Sequence, residues 1–555
     1  MNSKIYLIIL VSLGYASDAL ASVNLTVSGL KANIKNSLVE LDFKADSTIS
    51  AVKVGGKNIA STSEKSFYLD WNNNGQGIFN PSSIHIVEQT TSRVHFYWLQ
   101  ENIENVFRIE LHYIMVDGVS GIYSYAKYTN DKSSNLTLGE TRTVYRFNTS
   151  ILTKGSNQAR TGTLFTYAFL NNQTKIQDET WQLSDGTYYT KYDYAGYLRE
   201  TNYQGVYGNG FGAFVISPSR EYHGGGPLKQ DLLVHQNSLI ANYFISSHFG
   251  TAGLTAPSGW SHIYGPWLLY LNTGSDSAIL SDVVTRVATE NKSWPYSFVN
   301  ESDYPLSRGS VSGTVSGQKS AMVVLWDDTT NTFEQQSLGH LYNTKTNSDG
   351  SFSIANIRPG SYLVAAYPLA GQGSENLATS SVTVTAGSTA NVSTLSLPEP
   401  SNIIWSIGET DRRSDQYKYS NESRNYLYET LPPVNLTFTI GSSSISENWY
   451  YAQTKPGFWT VVYEDTQDGN ERTLRVALAA TSTKPHLIVT LNNHKIGDVT
   501  FGNDQSIYRS AMQSGTFSSL VLNATNAQVV NGTNTLTFQI SKGMLMYDAI
   551  SLQRG

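Results

Sequence analysis

The sequence predicts an all-β protein of several modules, and three observations carry this prediction. With 555 residues, the chain is longer than the roughly 250–300 residues at which single hydrophobic cores stop growing. Short segments such as Arg93–Gln100 and Phe107–Val116 alternate apolar and polar residues with period two, and Gly, Asn or Asp clusters separate them. Charged residues make up only 15% while tyrosine is abundant, which favours sheet over long amphipathic helices, and such helices are nearly absent from the pattern.

Changes in composition predict the module boundaries. Residues 1–21 combine Lys4, a short apolar run and small residues at Ala19 and Ala21, which predicts a secretory signal peptide. We assign residues 22–303 to a large first module and residues 304–398 to a middle module, whose "DG" and "PG" turns are typical of a small sandwich. The linker "LSLPEPSN" then introduces a third module, residues 399–555.

The sequence also predicts where the protein is located and which kinds of molecule it can bind. Several Asn-X-Ser/Thr sequons, among them Asn135, Asn291 and Asn435, agree with export. The chain has no cysteine, which excludes disulfides and cysteine-metal chemistry. A net charge of −6 without a basic tail argues against nucleic-acid binding. The sequence after residue 21 contains no run of about 20 apolar residues, so it predicts no membrane-spanning helix. We expect a secreted, extracellular monomer.

Three sequence segments of the first module contain most of the candidate functional residues, and together they resemble a known family. They are "LGETRTVYRFN" (Leu138–Asn148), "GTYYTKYDYAGYLRE" (Gly186–Glu200), and Gly210–Gly250 with its "HGGGPLK" and "ISSHFG". Followed by "GPWLLYLN" (Gly265–Asn272) and "WSIGETD" (Trp405–Asp411), they resemble the rhamnogalacturonan endolyases of polysaccharide lyase family 4. The resemblance covers nearly the whole chain after the leader.

This resemblance implies a fold and a reaction. The fold is a galactose-mutarotase-like β-super-sandwich, followed by a fibronectin-type-III-like sandwich and a jelly-roll domain resembling carbohydrate-binding modules. The reaction is β-elimination at the rhamnose-(1,4)-galacturonate bond of rhamnogalacturonan I, the pectin backbone, which is then the expected polysaccharide partner. Elimination needs a base for the C5 proton, a cation beside the carboxylate and an acid for the leaving O4.

The resemblance assigns the general base to Lys191. If Gly186–Glu200 is extended, Tyr189, Lys191 and Asp193 share one face of the strand. A lysine on a crowded aromatic wall is partly desolvated, which lowers its pKa toward the working range. From the residues alone, an exposed lysine whose stem covers tyrosine rings is the competing interpretation.

The resemblance assigns the general acid to His248 in "ISSHFG", with His262 in "GWSHIYGPW" as the second candidate. Arg142 is expected to neutralise the carboxylate, because a planar guanidinium can bind both oxygens. Arg146, four residues on and on the same strand face, competes for this role, and a simple ion pair of Arg142 with Glu140 is the structural alternative.

Two further residues complete the expected substrate-binding set. Tyr243 is expected to stack on the substrate or hydrogen-bond it, and Lys229 of the "HGGGPLK" loop to meet a second galacturonate. A lysine base with an arginine clamp needs no metal, so we expect no catalytic cofactor and no catalytic metal ligand, while a sandwich loop could hold a structural Ca²⁺. "DWNNNG" (Asp70–Gly75) begins like an EF-hand loop but has Pro81 at its twelfth position, which predicts an Asn-rich turn instead.

Two other classes of function remain as alternatives. A glycoside hydrolase or sugar epimerase on the same fold would need a carboxylate pair or a His–Glu pair, and Glu140, Asp193 and Glu221 are available. A non-catalytic pectin-binding protein would keep the cleft without turnover. The presence of Lys191, His248 and Arg142 together favours the lyase.

Overall fold

The computed structural model describes residues 22–73, 75–101, 106–251, 253–373, 375–422, 426–509 and 513–555. The expected signal peptide, residues 1–21, lies outside the described residues. The described chain is dominated by strands, which form three successive blocks of sheet along the sequence. The all-β prediction is therefore confirmed.

The first block ends near the helix that follows Thr273. Its strands are β1 (Asn24–Ser28), β2 (Lys31–Lys35), β3 (Val39–Phe43), β4 (Ile49–Val54), β5 (Lys57–Asn58), β6 (Tyr68–Asn72), β7 (Gln76–Ile78), β8 (Ser83–Gln89), β9 (Arg93–Gln100), β10 (Arg108–Val116), β11 (Gly121–Thr129), β12 (Leu136–Leu138), β13 (Glu140–Arg146), β14 (Lys154–Ser156), β15 (Thr161–Thr163), β16 (Thr174–Gln177), β17 (Thr180–Gln182), β18 (Tyr188–Thr190), β19 (Ala195–Tyr197), β20 (Tyr203–Gly208), β21 (Phe211–Ile216), β22 (Gln230–Leu232), β23 (Val234–His235), β24 (Leu239–Ser246), β25 (Leu254–Ala256) and β26 (Ser261–Thr273).

Two sheets of this block define the site. A nine-stranded sheet has the order β15-β14-β20-β21-β26-β11-β10-β9-β8, and a five-stranded sheet has the order β23-β24-β13-β6-β7. Alternate side chains of the smaller sheet enter the core shared with the larger one: Tyr145 of β13 accepts a hydrogen bond from Trp267 Nε1 at 2.9 Å, and the ring of Phe244 stacks on that of Tyr264 with centroids 5.0 Å apart. Since strand side chains alternate, the other set of side chains on β6, β13 and β24 faces away from the core.

The remaining strands form two smaller blocks. The second block contains β27 (Gly309–Gly317), β28 (Ala321–Trp326), β29 (Leu341–Lys345), β30 (Ser351–Ile357), β31 (Gly360–Pro368), β32 (Ala378–Val384), β33 (Thr389–Asn391) and β34 (Leu395–Leu397) in two four-stranded sheets. The third contains β35 (Ile403–Ile407), β36 (Leu436–Thr439), β37 (Ala452–Gln453), β38 (Gly457–Asp465), β39 (Arg472–Leu491), β40 (His494–Thr500), β41 (Ser518–Ala524) and β42 (Gly532–Arg554) in one eight-stranded sheet. Each block has its own apolar cluster, as independent modules require.

Helices are few but not negligible. They are α1 (Tyr167–Leu170), α2 (Asp276–Ser293), α3 (Leu427–Thr430) and α4 (Ile445–Asn448), with 3₁₀ turns at Lys191–Tyr194 and Asn526–Gln528. The 18 residues of α2 are the one long helix in the described ranges, and the sequence pattern did not single it out. Ile279, Val283 and Val287 form its buried stripe against the nine-stranded sheet. Among the described residues no helix combines the length and apolarity that crossing a bilayer demands.

Candidate active site

The outward face of the five-stranded sheet presents a row of polar side chains. On β13, Arg142 is directly opposite Asp70 of β6 on one side and Tyr243 of β24 on the other. Directly opposed residues on antiparallel strands have neighbouring side chains. The ladder register therefore brings these three groups together, although they are far apart in sequence.

Arg142 is held from both sides. Its Nε and Nη2 donate to the two carboxylate oxygens of Asp70 at 2.9 and 3.1 Å, and Nη1 contacts the Tyr243 hydroxyl and lies 3.2 Å from Glu140 Oε1. Asp70 is only 2% exposed, so this is a largely buried, bidentate pair. The expected ion pair with Glu140 is present, but it is not a surface pair, because the Arg142 and Glu140 side chains are 19% and 20% exposed. Asp70, which the sequence analysis placed in a turn motif, is the residue that orients the guanidinium.

Lys191 does not lie on an extended strand, which corrects the sequence prediction. β18 ends at Thr190, and Lys191–Tyr194 forms a 3₁₀ turn before β19 resumes at Ala195. Thr190 starts the turn as its N-cap, because its hydroxyl accepts a hydrogen bond from Tyr192 N. The alternation of faces over Tyr189, Lys191 and Asp193 therefore does not apply.

The turn leaves Lys191 half-buried with its Nζ 5.1 Å from the centroid of the Tyr192 ring. Burial lowers the pKa of Lys191 below its ordinary value, Asp178 and Glu179 oppose this, and Arg509 and Arg142 lower it further. Desolvation and neighbouring cations both favour the neutral amine. The direction agrees with the desolvation expected from the sequence, and the two arginines add to it.

His248 follows the end of β24 and is oriented through one ring nitrogen. Its Nδ1 lies 2.7 Å from Ser246 Oγ, 3.6 Å from Glu140 Oε2 and 3.7 Å from Asp231 Oδ1. These contacts engage the Nδ1 side and leave Nε2 as the nitrogen that can reach a ligand. Burial lowers the pKa of His248 well below its ordinary value, and the charges of Arg509, Lys191 and other cations act in the same direction.

The three predicted functional groups belong to one cluster. Tyr192, next to Lys191, contacts Phe249, next to His248, with ring centroids 6.1 Å apart. The ring of Tyr243, which contacts Arg142, meets the His248 ring edge-on at 5.3 Å. Lys191, His248 and Arg142 therefore belong to one group of neighbouring side chains at the outer face of the sheet, close enough for the charge of Arg142 to act on the other two, while their roles as base, acid and cation stay predictions.

Arg509 of the third block also enters this cluster, and the sequence analysis did not identify it. Its Nη1 donates to the backbone carbonyl of His248 at 3.0 Å, and its guanidinium carbon lies 5.6 Å from the centroid of the Tyr192 ring. Nη2 is 3.7 Å from Asp178, which accepts a hydrogen bond from the Tyr192 hydroxyl at 2.6 Å. The third block thus supplies a positive charge beside both Lys191 and His248.

Arg146 and Lys229 have different surroundings. Arg146 pairs with Glu64 at 2.6 Å and, with Lys65 and Tyr68, lines an open pocket of ≈ 540 Å³ at the same sheet face. Lys229 is buried, and its Nζ donates to the Ser246 carbonyl at 2.6 Å and lies 3.4 Å from Asp231. Arg146 stays a predicted substrate contact. The expectation that Lys229 meets a second galacturonate does not fit its burial, because its Nζ is engaged by the segment that precedes His248 and by Asp231.

The alternative acid and two of the alternative carboxylates lie elsewhere. His262 is buried between the rings of Trp260 and His340. Glu221 forms a buried bidentate pair with Arg308 at 2.7 and 3.1 Å. The backbone carbonyl of Asp193 accepts a hydrogen bond from Arg160 at 2.9 Å in a separate pocket. Of the three candidate carboxylates, only Glu140 belongs to the cluster of Lys191 and His248.

The candidate metal centre of the described chain also lies outside the cluster. Glu110, His112 and Glu301 present ligand atoms within 4.8 Å of one another. However, Arg108 pairs with Glu110 at 2.6 Å and Lys127 with Glu301 at 2.9 Å. Calcium prefers six to eight oxygen ligands, so a histidine and two already neutralised carboxylates fit it poorly, and a structural Ca²⁺ stays a prediction without an assigned site.

Comparison with known proteins identifies relatives of this chain among polysaccharide lyases. Residues 307–392 match the family model "Polysaccharide lyase family 4, domain II", and residues 403–552 match that for domain III, described as CBM-like. A rhamnogalacturonate lyase from Dickeya dadantii (strain 3937) is 38% identical over 551 residues, covering 96% of this chain and 95% of the relative. A rhamnogalacturonate lyase B from Emericella nidulans is 26% identical over 364 residues, covering 59% of this chain and 54% of the relative.

Solved structures give more distant similarities. A galactose mutarotase-like protein from Lactobacillus casei ATCC 334 aligns with 44% of this chain and 100% of its own, with 11% identity and a TM-score of 0.28. The sequence relationship to the Dickeya protein, which extends over almost the full length of both chains, confirms the family resemblance. The chain belongs to polysaccharide lyase family 4.

Proposed function

We propose that this polysaccharide lyase cleaves the rhamnose-(1,4)-galacturonate bond of rhamnogalacturonan I by β-elimination. The observation that carries the proposal is the single cluster that contains Lys191, His248 and Arg142, in which the charge of Arg142 acts on both of the other groups. Two relatives named rhamnogalacturonate lyase support the substrate class. The reaction needs a base, an acid and a cation near one galacturonate, and the cluster has one group suited to each role.

Lys191 acts as the base. Its neutral amine takes the proton from C5 of galacturonate, the C5–H electron pair forms the C4=C5 double bond, and the C4–O4 bond breaks. Burial and the two arginines support this role because they lower the pKa of Lys191 and so raise the fraction of neutral amine at a given pH.

Arg142 stabilises the charge that moves onto the galacturonate carboxylate as the C5 proton leaves. Its Nε–Nη2 edge is already bound to Asp70, so the substrate meets the remaining N–H groups of Nη1 and Nη2. Glu140 competes for Nη1 in the free protein. Burial and the nearby Asp231 and Asp70 raise the pKa of Glu140, while Arg142 opposes this, so Glu140 readily gives way to the substrate carboxylate.

His248 protonates the departing O4 through Nε2. In the free protein its lowered pKa favours the neutral ring, so the productive form, with neutral Lys191 and protonated His248, is the minor arrangement of the shared proton. Activity then requires one proton on the pair. We expect a bell-shaped pH profile for kcat/KM, with an acid limb below the ordinary histidine value of 6.5 and an alkaline limb below the ordinary lysine value of 10.5.

We further propose that the protein is secreted and acts as a monomer without a catalytic cofactor. The leader pattern of residues 1–21 and the sequons support export. Mass spectrometry of the protein recovered from culture medium would test this, because the mature chain should begin after Ala21.

The test of function is to incubate the purified protein with debranched rhamnogalacturonan I, without added metal, and to follow ultraviolet absorbance from the C4=C5 double bond together with product size. Rising absorbance with shortening chains is the expected result. Chain shortening without absorbance would indicate hydrolysis, and binding without either would indicate a pectin-binding protein.

A further inference from the structure

A second pocket adjoins the 3₁₀ turn that begins at Lys191. It measures ≈ 730 Å³, and residues before and after Lys191 line it, including Tyr188, Tyr189, Asp193 and Tyr194. Tyr188 is three residues from Lys191, so their Cα atoms are within about 10 Å of each other. A ligand in this pocket would therefore contact the same short segment that presents the base.

The pocket wall combines aromatic rings with a few polar groups. Phe165 and Tyr188 are half-buried, and Tyr194 lies deeper, at 7% exposure. A Cβ atom at Gly162 would stand 2.6 Å from the Tyr194 hydroxyl, so glycine is needed there to leave this hydroxyl its place in the wall. Aromatic faces with a small number of convergent polar groups are typical of a small-ligand site, and they suit the apolar and hydroxyl faces of a sugar ring.

Arg160 supplies hydrogen-bond donors at the pocket. Its Nη1 donates a hydrogen bond to the Asp193 carbonyl at 2.9 Å. A guanidinium has five N–H donors in a fixed plane, which can bridge two neighbouring hydroxyls. This bond also ties Arg160 to the 3₁₀ turn that carries Lys191.

Charge distinguishes this pocket from the one beside Arg146. Here one arginine is accompanied by two aspartates, Asp185 and Asp193, whereas the Arg146 pocket contains two cations and only Glu64 as a carboxylate. The Arg146 pocket thus attracts an acidic sugar and the Arg160 pocket disfavours one. The ligand of the Arg160 pocket is accordingly an uncharged sugar.

We propose that the Arg160 pocket binds a neutral sugar of a side chain carried by the pectin backbone, while the backbone itself passes Arg142 and Arg146. This rests on the proposed function and adds a determinant of substrate choice to it. The consequence is that branched rhamnogalacturonan I is a better substrate than the debranched polymer.

The test blocks the pocket without touching the catalytic cluster. Thr163 lies at the pocket edge on β15 and is exposed, so Thr163→Trp fills the space, and Thr163→Ser is the matched control that leaves it open. Wild type and Thr163→Ser should show kcat/KM about tenfold higher on galactan-branched than on debranched substrate, a difference within reach of a single pocket contact. Thr163→Trp should lose this preference and keep its activity on the debranched polymer. Equal activity of the wild type on both substrates, or an equal loss on both in Thr163→Trp, would overturn the proposal.

A binding measurement separates this proposal from the proposed reaction. β-1,4-Galactotetraose contains no galacturonate and is not a substrate for elimination, so saturation-transfer NMR with the full-length protein reports occupancy alone. Signals with wild type and Thr163→Ser that vanish with Thr163→Trp support the pocket even if no lyase product forms. No signal with wild type would overturn the pocket while leaving elimination on debranched substrate unaffected.

Discussion

The two sides of the candidate active site are built differently. On the sheet side, Arg142, Asp70 and Tyr243 belong to three adjacent strands, and ladder register sets their positions. On the turn side, Lys191 begins a 3₁₀ turn and His248 follows the end of a strand. Arg509, from a different module, supports the turn side through the His248 carbonyl.

This difference in construction suits the two sides to different parts of the proposed reaction. In the proposed mechanism, the group that holds a fixed charge lies on the sheet, where preorganised hydrogen bonds need no rearrangement during reaction. Lys191 and His248, the two groups proposed to exchange protons, lie where burial and the charges of two modules lower their pKa values. Substitutions on the sheet side should therefore change charge stabilisation, and substitutions on the turn side should change proton transfer.

The largest effect is expected on the turn side. Lys191→Ala and His248→Ala should each lower kcat by at least about a hundredfold, because each removes a single acid–base group. Lys154→Ala, a change at a lysine 41% exposed and paired with Asp276, is the control and should stay near wild type. Initial rates of double-bond formation measure this, and an active Lys191→Ala protein would remove the lysine from the mechanism.

The corresponding test of the sheet side is Arg142→Lys. The compact ammonium group of lysine cannot pair with Asp70 and bind the substrate carboxylate at the same time. We therefore expect kcat to fall by about tenfold or more, with a smaller change in the free energy of unfolding. Arg146→Lys, on the same strand and face, is the matched control and should raise KM more than it lowers kcat. The reverse result would transfer the carboxylate contact to Arg146.

Sequence reasoning was most successful on the sheet side. Strand alternation put Arg142 and Arg146 on one face, because residues four apart share a face of any strand, and both residues do lie on β13. It could not identify Asp70, 72 residues from Arg142, because strand order in a sheet depends on tertiary contacts. The phrase around Lys191 also read as a strand, since a threonine cap that starts a 3₁₀ turn leaves alternation unchanged. Arg509, 261 residues from His248, gave no sequence signal, because only module packing brings it to the site.

A smaller effect, mainly on stability, is expected for Asp70→Asn. The substitution leaves the Arg142 guanidinium without its buried counter-charge, which should cost roughly 3 kcal/mol of unfolding free energy, the low end for a broken buried pair because Glu140 still faces Nη1. Activity should fall because the guanidinium is no longer oriented. Denaturant unfolding and kcat, measured together, would test this, and full stability with full activity would mean that Glu140 alone holds Arg142.

The smallest effect is expected for Arg509→Met. This substitution should shift the pH dependence of kcat/KM while changing the maximum value of kcat/KM only slightly. Arg509 disfavours the protonated forms of Lys191 and His248, so its removal raises both pKa values and shifts both limbs of the kcat/KM profile to higher pH. Arg413→Met is the matched control. Arg413 is also in the third module and contacts the first, with its guanidinium carbon 4.3 Å from the centroid of the Tyr197 ring, but it is not among the largest influences on either pKa. If both variants lose activity and neither limb of the pH profile shifts, the third module acts through packing alone. A shift confined to Arg509→Met would establish that proton transfer on the turn side depends on a charge from another module.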